Sequence, residues 1–283
     1  MRGVIAGGMV SAIEAAGMAH CFDVMIGTSA GACALAYLRA GQARFGTRIF
    51  FEDINNRTFI DPWRVLSGRP IVDIDFLVDD VFRSIKRLDV DRFREPGPKL
   101  IATATDIDRA ETHYLSGFED PNRALEILRA TARMPLLASG PVEIDGRRLL
   151  DGGILNLLPL QAALGYGATH VLLIMTRPAN APSLARTSWL ERTWLPWRMQ
   201  RLYSPALGER IRAEDLAYRR LYRDLPLMRP STFDGTAILA VTPAPEEAEI
   251  GRMERSARLL RAGAEHAEAR MRSALTQQAT KPR

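Results

Sequence analysis

The hydrophobic and polar positions of this 283-residue chain alternate between helical and strand-like patterns. Helical patterns occupy the segments 3–18, 30–41 and 121–133, and the first of these has its apolar residues near one face. Short apolar runs predict strands at 22–27, 99–107, 112–117, 169–177 and 236–243. Because strands and helices alternate, we predict an α/β fold of three layers, in which a central, mostly parallel sheet has helices on both faces.

Local patterns add detail to this outline. The pair Asp145-Gly146 separates two short strand-like runs, which predicts a tight hairpin with a type I′ turn. The run 169–177 is apolar at nearly every position, as expected of a strand that is covered on both faces. Residues 50–95 predict helices and loops that cover the core.

The length of the chain suits one large domain, or one domain with an appendage. We predict an α/β domain over residues 1–245, which includes a helical insertion rich in tryptophan and arginine at about 185–230. Residues 246–283 are predicted to form a charged C-terminal helix and a tail.

The composition of the chain indicates where in the cell the protein works. No apolar run approaches the roughly 20 residues that span a bilayer. The N-terminus has a single basic residue and a helical pattern, without the cleavage site of a signal peptide. The two cysteines, Cys21 and Cys33, are too few for a disulfide framework. We therefore expect a cytoplasmic protein, with peripheral contact to a membrane.

The charge balance is mildly basic, with a net charge of +5. Almost all of the positive charge is arginine, because the lysines are only Lys86, Lys99 and Lys281. This excess is compatible with an anionic lipid surface, and equally with a genome-wide bias toward arginine codons. Nucleic-acid-binding motifs are absent from the sequence, and we predict no nucleic-acid partner. The four histidines have no neighbours at metal-ligand spacing, and we predict neither a metal nor another cofactor.

A Gly-x-Ser-x-Gly pentapeptide, Gly27-Thr28-Ser29-Ala30-Gly31, lies between the predicted strand 22–27 and the helix that follows it. Such a strand–turn–helix context is typical of a nucleophile elbow, whose small flanking residues relieve clashes around the serine. A serine at a helix N-terminus also lies near backbone N–H groups that favour a developing oxyanion. The alternative is a glycine-rich turn with a helix-capping serine.

A nucleophilic serine needs a base, and the histidines are poorly placed for this role. His170 precedes a strand, at the end opposite to the one where catalytic groups gather, and His266 lies in a charged terminal helix. Asp151 is the better candidate, because it ends the second arm of the hairpin and is followed by Gly152 and Gly153. These glycines let the backbone turn sharply and approach its neighbours closely, although a plain turn has the same pattern.

Four blocks in this order resemble the patatin-like phospholipase family. MRGVIAGGMVSAIEAAGM is similar to its first helix, FDVMIGTSAGA to its nucleophile elbow, IATATDIDRAETHYLSG to its central strand and hairpin, and ATARMPLLASGPVEIDGRRLLDGGILNLLPL to its Asp-Gly-Gly segment. The resemblance covers most of residues 1–175. It implies hydrolysis of acyl esters of lipids, especially phospholipids and lysophospholipids, with Ser29 as nucleophile, Asp151 as base and no cofactor.

The chain departs from this family at its beginning. Patatins have a strand and then a loop, Gly-Gly-Gly-x-Arg/Lys-Gly, whose N–H groups form the oxyanion hole. Arg2 and Gly3 match the basic and final glycine positions, and we predict that they form part of that hole. The first strand is expected to be missing from this chain, which exposes neighbouring sheet edges. Either the true start lies upstream of Met1, or the protein is a truncated member with little or no activity.

The predicted insertion suggests how the protein meets its substrate. Trp189, Trp194 and Trp197 are interleaved with arginines, a composition that suits a lipid interface as well as a helix packed on the core. The main hypothesis is a serine esterase acting on fatty-acyl lipids. Two alternatives are an acyltransferase that uses the same acyl-enzyme and a catalytically degenerate protein that binds lipid.

Overall fold

The structure, a computed structural model, describes residues 1–178, 189–247 and 249–279. Within these residues the α-helices are α1 (Gly3–Ala15), α2 (Ala30–Arg39), α3 (Ala43–Thr47), α4 (Ile49–Glu52), α5 (Pro121–Thr131), α6 (Leu160–Gly165), α7 (Trp189–Leu202), α8 (Pro205–Asp224) and α9 (Ala257–Ala279). The strands are β1 (Val24–Thr28), β2 (Lys99–Asp106), β3 (Glu111–Leu115), β4 (Val142–Ile144), β5 (Arg147–Asp151), β6 (His170–Ile174), β7 (Pro230–Phe233) and β8 (Thr236–Val241). Shorter helical turns lie at Ala19–Cys21, Pro62–Ser67, Val90–Arg94 and Gly152–Ile154, and a π-helix lies at Phe76–Ile85.

The strands form two sheets with helices around them. One has the order β1-β2-β5-β4, with β3 as a further neighbour of β2, and the other has the order β6-β8-β7. The pairs β1–β2 and β6–β8 are parallel, and the remaining pairs are antiparallel. The predicted α/β class is confirmed. The sheet is mixed rather than mostly parallel, because the turns that follow β2 and β4 are too short for a crossover connection.

Strands β1 and β6 are among the strands that have a single neighbour in the part of the chain that the structure describes. There β1 pairs only with β2, and β6 only with β8. Residues of both strands line a cavity of about 2680 Å³. The expectation that the first strand is missing from this chain stays a prediction. The prediction that β6 is covered on both faces is confirmed, since Leu172 and Ile174 pack against the main core and Val171 and Leu173 against a second apolar cluster. Only Leu173 of this strand is fully buried, because one edge of β6 has no neighbour among the described residues.

Helix α1 lies in the core and is buried from Gly3 to Ile13, rather than on one face as its sequence predicts. Helix α9 covers part of α1, and its buried residues Leu260, Ala264 and Met271 belong to the main hydrophobic core. The two helices approach closely, because a Cβ atom at Gly8 would lie 2.2 Å from the carbonyl oxygen of Ala264. The predicted C-terminal helix therefore packs on the first helix of the chain, while the predicted boundary at residue 245 stays a prediction.

The predicted insertion is helical over α7 and α8, which pack against each other. Met199 of α7 and Leu207 and Ile211 of α8 are buried in one cluster with Ile107 and Leu150, beside the C-terminal end of β2. None of the helices in the described ranges combines the length and the apolar character needed to cross a bilayer.

Candidate functional site

The pairing along β2 brings two distant parts of the sequence together. Strand β1 pairs with β2 as far as Thr28, which lies opposite Thr103. The next residue of β2, Ala104, pairs with Asp151 at the end of β5. Because β1 is parallel to β2 and β5 is antiparallel, the C-terminal ends of β1 and β5 meet at this point. The residue after Thr28 is Ser29, so the fold places Ser29 beside Asp151.

Ser29 occupies a sharp turn between β1 and α2. Its backbone has φ 54° and ψ −129°, a conformation that non-glycine residues rarely adopt. Gly27 is needed for close approach, because a Cβ atom there would lie 2.6 Å from the backbone of Ala32. The expectation that Gly31 relieves a clash is wrong, since a Cβ atom at Gly31 would meet no atom within 4 Å. Gly31 instead lines the cavity.

The Ser29 hydroxyl donates a hydrogen bond of 2.6 Å to Oδ2 of Asp151. The other carboxylate oxygen, Oδ1, accepts the N–H of Gly153 at 2.7 Å. Asp151 is buried. Burial raises the pKa of Asp151 to about 6, although the hydrogen bonds from Ser29 and Gly153 favour its charged form. The carboxylate is thus held against the serine hydroxyl with a proton affinity well above that of an ordinary aspartate.

Other candidates for a base or a nucleophile do not share this contact. Among the described residues, no histidine is hydrogen bonded to Ser29 or Asp151. Cys33 also lines the cavity, but burial, followed by the negative charge of Asp151, raises the pKa of its thiol to about 12. Cys33 therefore stays protonated at neutral pH and is a poor nucleophile. Metal-type clusters of three or more His, Cys, Asp or Glu side chains are absent from the described residues.

The predicted role of the two glycines after Asp151 is supported by the backbone packing. A Cβ atom at Gly152 would lie 2.2 Å from Oγ1 of Thr103, and one at Gly153 would lie 3.0 Å from Oδ1 of Asp151. The hydroxyl of Thr105 donates to the carbonyl oxygen of Asp151 at 2.9 Å. Close contact with β2 on one side and a local hydrogen bond on the other fix the direction of the Asp151 carboxylate.

Three threonines lie around Ser29: Thr28 belongs to the predicted elbow, and Thr103 and Thr131 are functional candidates that the sequence does not reveal. The hydroxyl of Thr131 accepts the N–H of Ser29 at 2.9 Å and donates to the carbonyl oxygen of Thr103 at 2.6 Å. Thr28 shares a hydroxyl–hydroxyl contact of 2.8 Å with Thr103 and donates to the carbonyl oxygen of Asn156 at 2.9 Å. Threonine is ordinary in strands and helix ends, so no local signal distinguishes Thr103 and Thr131.

Arg2 and Gly3 lie at the N-terminus of α1, beside the turn that holds Ser29. A Cβ atom at Gly3 would lie 2.5 Å from the Cβ atom of Ala30, so the two segments touch there. Arg2 lines the same cavity as Ser29. Burial, then the positive charges of Arg177 and Arg252, lower the pKa of Arg2 to about 10, which leaves it charged at neutral pH.

Two of the three tryptophans in the predicted insertion can be located. Trp194 and Trp197 are each 46% exposed, and Trp194 lines the cavity. The guanidinium of Arg201 lies 5.4 Å from the centre of the Trp197 ring. The side chain of Trp189 lies outside the described residues.

Two comparisons with known proteins cover the N-terminal part of the chain. The family model described as "Patatin-like phospholipase" matches residues 1–164. A curated relative, "Uncharacterized protein YjjU" of Escherichia coli (strain K12), is 28% identical over 162 residues. That match covers 56% of this chain and 44% of YjjU, so the chain spans less than half the length of this relative.

Proposed function

The chain belongs to the patatin-like phospholipase family of lipid acyl hydrolases, and we propose that it cleaves fatty-acyl ester bonds through a dyad of Ser29 and Asp151. The observation that carries this proposal is the 2.6 Å hydrogen bond from the Ser29 hydroxyl to a buried carboxylate. The reaction is of the phospholipase A or lysophospholipase type.

In the proposed mechanism, Asp151 accepts the proton of the Ser29 hydroxyl while Oγ attacks the ester carbonyl. The tetrahedral intermediate collapses to an acyl-enzyme, and the alcohol leaves with the proton that Asp151 returns. A water molecule then attacks the acyl carbon and gives its proton to Asp151. Release of the fatty acid restores the Ser29 hydroxyl as Asp151 passes the proton back.

The developing oxyanion needs hydrogen-bond donors. Ala30 and Gly31 begin α2, and the first N–H groups of a helix have no intrahelical acceptor. We propose that these groups act together with backbone N–H groups of Arg2 and Gly3. The close packing of Gly3 on Ala30 supports this arrangement, because it brings the N-terminal ends of α1 and α2 to the same side of Ser29.

The cavity supports a fatty-acyl substrate. Apolar side chains form much of the wall of the cavity that Ser29 lines, among them Val10, Ile26, Leu35, Phe50, Ile154 and Leu157. An acyl chain that enters this space loses contact with water and leaves its ester near the serine. Mostly apolar walls with a few fixed polar groups are usual for binding sites of this kind.

We propose that the protein works in the cytoplasm and contacts the membrane peripherally. Exposure of Trp194 and Trp197, with Arg201 against the second ring, supports such a contact. Cys21 and Cys33 are both free thiols, which supports a reducing compartment.

Lipid hydrolysis is tested by product analysis with phospholipid and lysophospholipid in mixed micelles. We expect free fatty acid to appear at the same rate with and without an added alcohol. Transfer of most acyl groups to the alcohol would favour the acyltransferase alternative. Failure to turn over either lipid or a soluble fatty-acyl ester would contradict the proposed activity.

Thr131 is expected to position Ser29 for this reaction. Thr131→Val removes the acceptor for the Ser29 N–H, and an unsatisfied buried group of this kind costs about 1–3 kcal/mol. We expect kcat to fall about tenfold or more with KM nearly unchanged. Thr131→Ser keeps the hydroxyl and should retain most of kcat, and equal losses in both variants would contradict a positioning role.

A further inference from the structure

An apolar turn far from Ser29 in sequence projects into solvent. Residues 62–67, here called the docking turn, form a short 3₁₀ helix. Three of their side chains are largely exposed, Trp63 at 68%, Val65 at 60% and Leu66 at 80%. Single exposed apolar residues are ordinary, but three large ones within four positions indicate a binding surface.

The base of the docking turn is firmly held. Ile60 and Val72, both buried, form an antiparallel bridge, and the N–H of Asp61 donates to the carbonyl oxygen of Ile71 at 2.9 Å. The Asp61 carboxylate accepts the N–H of Trp63 at 3.1 Å and caps the turn. The exposure of the tip is therefore a property of an ordered projection rather than of a frayed loop.

Two exposed arginines flank the docking turn. Arg57 and Arg69 flank it and are exposed, and in the described part of the chain no ion pair involves either of them. Arg64 instead turns inward, where its guanidinium donates to the carbonyl oxygen of Thr58 at 2.8 Å and lies 3.7 Å from Asp73. An apolar tip with two available guanidinium groups matches the anionic surface of a bilayer.

The docking turn is also continuous with the wall of the cavity that contains Ser29. Val65, Ile60 and Val72 line this cavity. The N–H of Val72 donates to the carbonyl oxygen of Leu137 at 2.8 Å, and Leu137 lines the cavity as well. Apolar surface thus runs from the tip of the turn into the space where an acyl chain would bind.

We propose that the docking turn inserts into a lipid bilayer and holds the cavity mouth against it. A bilayer fits better than a protein partner, because a stable protein interface buries about 800 Å² per partner over some 20 residues or more, beyond what three side chains provide. The purpose of the contact rests on the proposed lipid hydrolysis, but binding to a bilayer does not require catalysis.

The test measures sedimentation with vesicles of phosphatidylcholine and phosphatidylglycerol, in the Ser29→Ala background so that no lipid is consumed. Leu66→Glu should lower the vesicle partition coefficient about tenfold or more relative to the parent, since it replaces an inserted apolar group with a charge. Ile85→Glu is the matched control, because Ile85 is 51% exposed and lies outside the residues that line the cavity. This control should bind like its parent.

A second variant tests the charges. Arg57→Gln combined with Arg69→Gln should weaken binding to vesicles that contain phosphatidylglycerol and leave binding to pure phosphatidylcholine unchanged. The proposal is overturned if the parent does not sediment with vesicles, or if Leu66→Glu binds as well as the parent. It is also overturned if Leu66→Glu only converts a dimer to a monomer in sedimentation velocity, which would assign the turn to a second copy of the chain.

Hydrolysis of a soluble ester by the protein that retains Ser29 tests the proposed function separately. Its outcome does not depend on whether the docking turn binds vesicles.

Discussion

Ser29→Ala is expected to lower hydrolysis of a soluble fatty-acyl ester by about 10⁴-fold or more and to abolish labelling by a fluorophosphonate probe. The probe reacts with a serine only where a base removes the hydroxyl proton, and Ser29 has its hydrogen bond to Asp151 for this purpose. Cys33 does not replace it, because burial raises the pKa of that thiol to about 12. Initial rates with a chromogenic ester and labelling on a gel measure both effects.

The matched control for this prediction is Ser116→Ala, which removes an exposed hydroxyl and should leave both labelling and rate unchanged. Alanine is expected to be tolerated at position 29, since it meets the same backbone strain as serine at φ 54°. Continued labelling of Ser29→Ala would identify another nucleophile. If the unaltered chain is not labelled, the catalytically degenerate, lipid-binding alternative gains support.

The parts of the site that sequence predicts well are those with local signals. Gly27 and Ser29 are recognisable because a strand, a sharp turn and a helix follow each other within twenty residues. Asp145 and Gly146 have φ values of 51° and 69°, as the Asp-Gly pair predicts for a type I′ turn. Asp151 is recognisable because Gly152 and Gly153 follow the second arm of that hairpin, which ends at Asp151.

Features that depend on contacts across the sequence are not predictable in this way. Thr131 reaches the Ser29 N–H only because α5 packs against the strands, and its sequence context is that of any helix end. The apolar run of β6 predicts burial, but its burial depends on whether a second strand lies beside it. The exposure of Trp63 and Leu66 is likewise not predictable from the sequence, because apolar residues in a loop usually pack inward.

The pH dependence of hydrolysis should follow the ionisation of Asp151. A base must be deprotonated to accept the Ser29 proton, and burial raises the pKa of Asp151 to about 6. We therefore expect kcat/KM to be constant above this value and to fall about tenfold per pH unit below it. A histidine base would give a similar midpoint, so the profile is decisive only together with a substitution of Asp151.

Asp151→Asn is expected to lower kcat by about 10⁴-fold, because the amide has the shape of the carboxylate but cannot accept the proton. Asp108→Asn is the matched control, since Asp108 is exposed and its pKa is lowered by Arg148, and it should keep both the rate and the midpoint near 6. A variant of Asp151 that retains activity with the same midpoint would transfer the role of base to another group.

Loss of activity in Asp151→Asn should not reflect loss of the fold. The pKa of Asp151 is about 6 in the folded protein against 3.8 for the free side chain, so the folded state keeps the proton to a higher pH. Between these values the folded state binds more protons than the unfolded chain, so stability falls as pH rises, by about 3 kcal/mol in all. Asparagine carries no charge and avoids this loss. At pH 8 the variant is therefore expected to unfold at the same temperature as the parent or at a higher one, and a lower unfolding temperature would mean that the carboxylate stabilises the fold.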